Sequence, residues 1–248
     1  MKFQKKIEYK YVSYLWDDAK AAALSADEVD LFIYRSNLLG ADLRLTNYAG
    51  GNTSCKVKDK DPLTGKKEEI MWVKGSGGDI GTLKKAGCAS LFVEKLHDLK
   101  KIYRGLEFED EMVELFNYCL FNLKSAAPSI DTPLHGLLPF KHIDHLHPDA
   151  LIAIAAAKDG EKIMKGIWGD TIAWIPWQRP GFDLGLKLEK CIKKNPDIKG
   201  IILGGHGLFT WGDTSYESYI NTLNTIEEAS EIVSYLLFER EFLSLIHI

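Results

Sequence analysis

Four cysteines in 248 residues, Cys55, Cys88, Cys119 and Cys191, are widely scattered and form no CxxC pair. That usage suits reduced thiols in a cytoplasm. No stretch approaches the ~18 consecutive apolar residues that a membrane-spanning helix needs. Met1–Val12 is charged and lacks an apolar run followed by a small-residue cleavage site, so no signal peptide is visible. An excess of positive charge is missing too. The 31 basic and 35 acidic residues leave a net charge of −4, which is no electrostatic footprint for nucleic acid. Short basic pairs such as Lys5-Lys6 and Lys66-Lys67 are solvated surface. Internal repeats, low-complexity tracts and flexible linkers are absent.

What is present has the balance of an ordinary globular protein, 46% hydrophobic and 27% charged, in a chain long enough to bury one large core over residues 1–248. Ser25 and Glu28 have capping-box spacing ahead of a helix expected over Asp27–Leu39. Gly50-Gly51-Asn52 leads into a strand at Thr53–Lys58. Asp61-Pro62 and Gly65 mark a hairpin turn, and Glu69–Lys74 is the return strand. A long helix is expected over Glu107–Lys124, ending before Pro128. Ile143–His147 has the pattern of a short strand, with Pro148 in the first turn of a helix over Asp149–Ala157. Thr171–Trp177 is a further strand and Phe182–Lys194 a further helix. Gly200–Leu203 and Leu208–Trp211 pair around Gly204-Gly205, and Asp213 opens a final helix to about Phe238. Strands and helices alternate, which predicts an α/β fold: a three-layer α/β/α sandwich around one largely antiparallel or mixed sheet.

His145-Leu146-His147 is the most informative local pattern. Residues two apart on a strand point to one face, so both imidazoles can reach one ion while Leu146 faces away. Neutral imidazole is a preferred zinc ligand, and three protein ligands with an open fourth position make a catalytic site. His206, in Gly204-Gly205-His206-Gly207, is the candidate third ligand, because flanking glycines let the backbone bend and bring the ring close. The plainer alternative is a pair of strand-end histidines and a turn histidine. His135 and His142 are possible substitutes; His97 and His247 have no supporting context.

Two small-residue clusters, Gly50–Ser54 and Gly75–Gly78, offer backbone N–H groups with hydroxyl or amide side chains. Phosphate oxygens only accept hydrogen bonds, so such turns suit a phosphate monoester, although hairpin chemistry alone also explains each cluster. Gly75-Ser76-Gly77 followed by Gly81 misses the dinucleotide fingerprint by one residue, and no acidic ribose-binding residue is placed for it.

Taken in order, GGNTS at Gly50–Ser54, VKGSGG at Val73–Gly78, PSIDTPLH at Pro128–His135, DHLH at Asp144–His147, IPWQRPG at Ile175–Gly181 and GGHGLFTWGD at Gly204–Asp213 resemble the class II aldolase/adducin family over nearly the whole chain. PFKHIDHLHPDALIAIAAA and HGLFTWGDT are similar, more narrowly, to the aldolase half of bacterial proteins that join a rhamnulose-1-phosphate aldolase to a lactaldehyde dehydrogenase. The resemblance implies zinc, or another divalent metal, held by His145, His147 and His206. It implies phosphate held by Gly51, Asn52, Ser76, Gly77 and Ser129, and Asp131 as the proton-moving group. Aldolases of the family usually place a glutamate where Asp131 stands, whereas sugar-phosphate 4-epimerases also have aspartate. The alternative for Asp131 is a helix cap before Pro133.

The activity so implied is cleavage of a ketose 1-phosphate, L-rhamnulose 1-phosphate in the narrower resemblance, to dihydroxyacetone phosphate and L-lactaldehyde. The expected partner is a small sugar phosphate, with neither nucleic acid nor membrane, and the resemblance implies a cytoplasmic homotetramer whose sites lie between subunits. A 4-epimerase and an inactive adducin-like scaffold are the competing expectations, and three convergent histidines speak against the scaffold. No Rossmann half follows Ile248, so the chain is either a stand-alone form or part of a longer two-domain protein.

Overall fold

The structure is a computed structural model that describes residues 8–246. Lys5-Lys6, His247 and the first part of Met1–Val12 lie outside the described residues. Helix α1 (Asp18–Leu24) and helix α2 (Glu28–Gly40) come first. The expected capping box is not what starts α2. Asp27 is its N-cap, its carboxylate accepting the Val29 N–H at 2.8 Å, while the Ser25 hydroxyl closes α1 on the Ala22 carbonyl. Strands β1 (Asn52–Lys60) and β2 (Lys67–Lys74) form the predicted hairpin, with Gly65 at φ +70° in its turn. Strand β3 (Cys88–Phe92) and helix α3 (Val93–Asp98) carry no sequence signal strong enough to be expected.

The long helix expected over Glu107–Lys124 is broken. Helix α4 covers only Glu109–Leu115, a 3₁₀ turn follows at Phe116–Cys119, and the chain then runs along the sheet edge. There Phe121 N–H bonds the Ser90 carbonyl, Ala126 N–H bonds the Cys88 carbonyl, and Leu120 bridges Leu91. Pairing with the backbone of edge strand β3 competes successfully with further helix.

Helix α5 (Thr132–Gly136) precedes strand β4 (His142–Leu146), helix α6 (Asp149–Ala156), helix α7 (Gly160–Trp168) and strand β5 (Ile172–Ile175). Pro148 caps α6 from outside its first turn, and β5 ends before Pro176, two residues short of the expected strand. Helix α8 (Phe182–Lys194), strands β6 (Gly200–Leu203) and β7 (Gly207–Gly212), and helix α9 (Ser215–Ile246) complete the order.

The seven strands form one mixed sheet in the order β3-β2-β1-β4-β7-β6-β5, antiparallel throughout except for the parallel β5–β6 pair. Helices cover both faces. Leu146, Ile202 and Leu208 pack with Tyr219, Leu223, Ile226 and Ala229 of α9, while Cys55 packs with Val29 and Phe32 of α2. On the opposite face Ile143, Ile201 and Phe209 meet Leu134 of α5 and Leu184, Leu188 and Ile192 of α8. The four-residue spacing of Leu184, Leu188 and Ile192 turns one stripe of α8 onto the sheet. Among the described residues no helix is long and apolar enough to cross a membrane, and all four cysteines are free.

Candidate metal centre and substrate loops

Strand β4 lies at the middle of the sheet, and its alternation decides what faces what. Asp144 and Leu146 point toward α2 and α9. Ile143 and His145 point toward α5 and α8. His147 lies just past the end of β4, and its ring converges on His145. The Nε2 atoms of His145 and His147 are 3.1 Å apart, and those of His145 and His206 are 3.3 Å apart. Among the described residues these three are the one group of histidine, cysteine or acidic side chains placed to share an ion.

The spacing itself argues for a metal. Four nitrogens at ~2.0–2.1 Å around a tetrahedral ion lie about 3.3–3.4 Å from one another. The His145 Nδ1–H donates to the Leu208 carbonyl at 3.0 Å, which places the Nε2 lone pair toward the shared centre. The His145 ring also stacks on Phe209, centroids 4.2 Å apart and planes 11° apart. Burial, reinforced by the neighbouring imidazoles, holds His145 far below the usual histidine range, and burial lowers His147 to about 4 and depresses His206. All three rings are therefore neutral at ordinary pH, the state in which imidazole can bind a metal.

His206 reaches this point because the β6–β7 turn is tight. Gly205 has φ +62°, and a Cβ at Gly207 would sit 2.6 Å from the Leu146 carbonyl and 2.8 Å from the His147 ring. The alternative candidates lie elsewhere. His135 is fully buried against the Ser54 hydroxyl, His142 meets Arg35 across the other face of the sheet, and His97 meets Lys100.

The loops named for phosphate are tied to one another beside the triad. Asn52 pairs with His145 across the β1–β4 ladder, and its side-chain amide donates to the Ser129 hydroxyl at 2.8 Å. Ser76 N–H donates to the Ala127 carbonyl, and Gly75 N–H to the Gly87 carbonyl. Those two amides are thus used within the protein, contrary to the expectation of an open row of N–H donors. The exposed residues Ser76 and Gly77, with Gly77 at φ +76°, remain on the solvent side of the second loop. Gly50 and Gly51 form the first loop, where Gly51 has φ +71° and a Cβ at Gly50 would lie 3.3 Å from His147 Nδ1.

Asp131 stands at the start of α5 but makes no capping hydrogen bond. Its Oδ1 is buried without a partner, and burial, opposed by Lys74, raises the carboxyl to about 6. A carboxyl that begins a helix without capping it, and titrates near neutrality, is poised to exchange a proton. Lys74 was not singled out by sequence reasoning. It is a buried cation directly before the Gly75–Gly78 loop, and its charge acts on both Asp131 and His147. A lysine adjoining a small-residue loop was the available signal.

Residues 32–233 match the family model described as "Class II Aldolase and Adducin N-terminal domain". The chain is 39% identical over 231 residues to the "Uncharacterized oxidoreductase YuxG" of Bacillus subtilis (strain 168), covering 93% of this chain and 33% of that protein. It therefore spans about a third of the length of this curated relative. The structure is similar to the N-terminal class II aldolase domain of a conserved protein from Thermoplasma acidophilum, with a TM-score of 0.76, 29% identity and coverage of 92% and 99% of the two chains. The fold is shared with the l-fuculose-1-phosphate aldolase of Thermus thermophilus, with a TM-score of 0.55, 15% identity and coverage of 89% and 98%. By the extent of the family match and the shared fold, this chain belongs to the class II aldolase and adducin N-terminal domain family.

Proposed function

We propose that the protein is a metal-dependent aldehyde-lyase that cleaves a ketose 1-phosphate, L-rhamnulose 1-phosphate, to dihydroxyacetone phosphate and L-lactaldehyde. The observation that carries this reading is the convergence of the His145, His147 and His206 Nε2 atoms, with Asn52, across the ladder from His145, bonded to Ser129; Asp131 follows Ser129 by two residues and its Oδ1 is buried without a partner. His145, His147 and His206 would hold a divalent ion, zinc in this proposal, which would supply a Lewis acid for the substrate's carbonyl.

The chain's own groups do the rest. Gly51, Asn52, Ser76, Gly77 and Ser129 hold the phosphate, and Lys74 adds a positive charge beside them. Retro-aldol cleavage breaks the C3–C4 bond, takes the proton from the C4 hydroxyl and returns a proton to C3. Asp131 holds and moves the proton at C3. A pKa of about 6 leaves both of its protonation states accessible near neutrality. We propose further that the protein is a cytoplasmic homotetramer.

One observation favours a second reading. Asp131 is an aspartate, the residue found here in the related 4-epimerases, which break and remake the same bond without releasing fragments. Metal content and product analysis test both. Elemental analysis of the purified protein should find about one divalent ion per chain, and His145→Ala and His206→Ala should each lose it. The loaded protein should then release dihydroxyacetone phosphate and an aldehyde from the ketose 1-phosphate. Formation of only an isomeric sugar phosphate would transfer the proposal to the epimerase. Failure of the unsubstituted protein to retain any divalent ion after reconstitution would end both enzyme readings in favour of a scaffold.

A further inference from the structure

Ala49 is the one non-glycine residue with positive φ among the described residues, at +61°. It occupies the third position of the turn closed by the Gly50 N–H bond to the Asn47 carbonyl at 2.9 Å. A left-handed residue there is ordinarily glycine, because an L-residue's Cβ crowds the carbonyl. The alanine must therefore be held, and one bond does so from the other glycine-rich loop. Ala49 N–H donates to Asp79 Oδ1 at 2.9 Å.

Asp79 is itself anchored. The short 3₁₀ turn that follows it, Ile80–Thr82, packs on α2. Asn37 of α2 donates to the Ile80 carbonyl at 2.9 Å and to the Leu83 carbonyl at 3.2 Å. A Cβ at Gly40 would sit 2.2 Å from Gly81 N, and one at Gly81 would sit 3.0 Å from Asp79 Oδ2. The bond to Ala49 thus runs from a rigid element to a strained turn. Two residues beyond Ala49 is Gly51, also left-handed, and then Asn52, which bonds Ser129 and pairs with His145.

We infer that Asp79 is a positioning residue, which holds Ala49 left-handed so that Gly50, Gly51 and Asn52 are preorganised for an anionic group of the substrate. The inference rests on the phosphate role proposed above for this loop. Its cost is a negative charge on the clamp itself, next to the place assigned to an anion. That combination separates the clamp from a merely structural contact, because the acceptor oxygen and the charge act in opposite directions and can be changed separately.

The test uses inorganic phosphate as the probe on zinc-loaded protein, followed by calorimetry, with hydrogen exchange of the Asn47–Asn52 amides as an independent readout. Asp79→Ala should bind phosphate about tenfold more weakly, the fold-change expected for losing one charge-assisted hydrogen bond, and should exchange faster over the turn. Asp79→Asn keeps a carbonyl acceptor without the charge, so it should bind at least as tightly as the unsubstituted protein. In the Asp79→Ala background, Ala49→Gly should recover part of the lost affinity, because glycine adopts the turn without help. In turnover, Asp79→Ala should raise KM for the sugar phosphate and leave kcat nearly unchanged. Equal phosphate affinity in Asp79→Ala and Asp79→Asn, which both lack the charge and differ in the acceptor, would overturn the role of Asp79 alone. Absence of phosphate binding in the unsubstituted protein would overturn the phosphate reading and the positioning role together. Thermal melts of every variant identify one that has failed to fold, and Asp79→Asn with Ala49→Gly then carries the decision.

Discussion

Asn52 of β1 sits directly across the antiparallel ladder from His145 of β4. One backbone pairing therefore sets the distance between a candidate metal ligand and a candidate phosphate loop. A slip of one residue in that register would turn His145 toward α2 and α9 and bury it in the wrong layer. The rigidity of the site is a property of the sheet, and four consequences can be measured.

Gly207→Ala should weaken metal binding at the candidate centre without removing any of the three candidate ligands. The new Cβ would meet the Leu146 carbonyl at 2.6 Å and the rings of His147 and His145 at 2.8 and 3.1 Å. Backbone and both imidazoles must then move. Disturbing the support of metal ligands typically lowers affinity ~10–100-fold. Competition with a fluorescent zinc chelator measures it, and unchanged affinity would show that the β6–β7 turn is not under this constraint.

Asp131→Asn should stabilise the metal-free protein at neutral pH and abolish turnover. The folded carboxyl titrates at about 6, above its ordinary value of 3.8. Between those values the unfolded state has released a proton that the folded state retains, so stability falls as pH rises. The penalty is absent below about pH 4, grows toward pH 6 and is complete above it. Removing it should add on the order of 2 kcal/mol at pH 7.5 and nothing at the acid end. Urea unfolding of both proteins from acid to neutral pH checks the sign. A stability difference that does not change with pH would contradict the raised carboxyl.

Arg35→Met should be far more damaging than an ordinary surface change. Arg35 and Asp144 are both fully buried, with Nε 3.0 Å from Oδ1. Asp144 also accepts from the Ser218 and Thr222 hydroxyls at 2.7 and 3.1 Å. Loss of the guanidinium strands a buried carboxylate, which typically costs about 3–5 kcal/mol. Asp144→Asn added to Arg35→Met should recover part of that loss in a denaturant titration, since the stranded charge is gone. Equal stability of the single and double variants would refute this account.

Glu109→Ala should loosen the segment after β5. The buried Glu109 carboxylate accepts the Phe182 and Asp183 N–H groups at the start of α8 and the Tyr103 hydroxyl. Three bonds to one charged acceptor in a buried setting suggest a loss of ~1.5–3 kcal/mol. Proteolysis between Trp177 and Gly181, or exchange of the Phe182 amide, should accelerate. Protection equal to that of the unsubstituted protein would show that α8 starts without this distant cap.

Where a periodic pattern and its chemical partner both lie within a few residues, the sequence is legible. His145-Leu146-His147 requires only the two-residue alternation of a strand. The β1–β2 hairpin follows from Asp61-Pro62 and Gly65, and α8 from its apolar spacing. The expected helix over Glu107–Lys124 failed because an edge strand about 30 residues earlier offered its backbone to Leu120–Ala126. The cap of α2 was misplaced by two residues because Ser25 and Asp27 are both good N-caps. Only the folded positions of α1 and α2 separate their roles.

By itself, the order of short motifs determined the family resemblance, the alternation of strands and helices determined the layered α/β architecture, and local patterns singled out the three candidate histidines. Tertiary structure decided which donors the loops still have to offer. Gly75 and Ser76 N–H groups are satisfied by carbonyls of distant segments, and Lys74 lies close enough in space to act on Asp131. It also decided that Asp131 caps nothing and has a buried, unpartnered Oδ1, and that the left-handed Ala49 donates its N–H to Asp79. The physical reason is the range of the interactions. Side-chain alternation and turn chemistry act between near neighbours in the chain, whereas desolvation, charge coupling and hydrogen-bond satisfaction depend on which segments pack together.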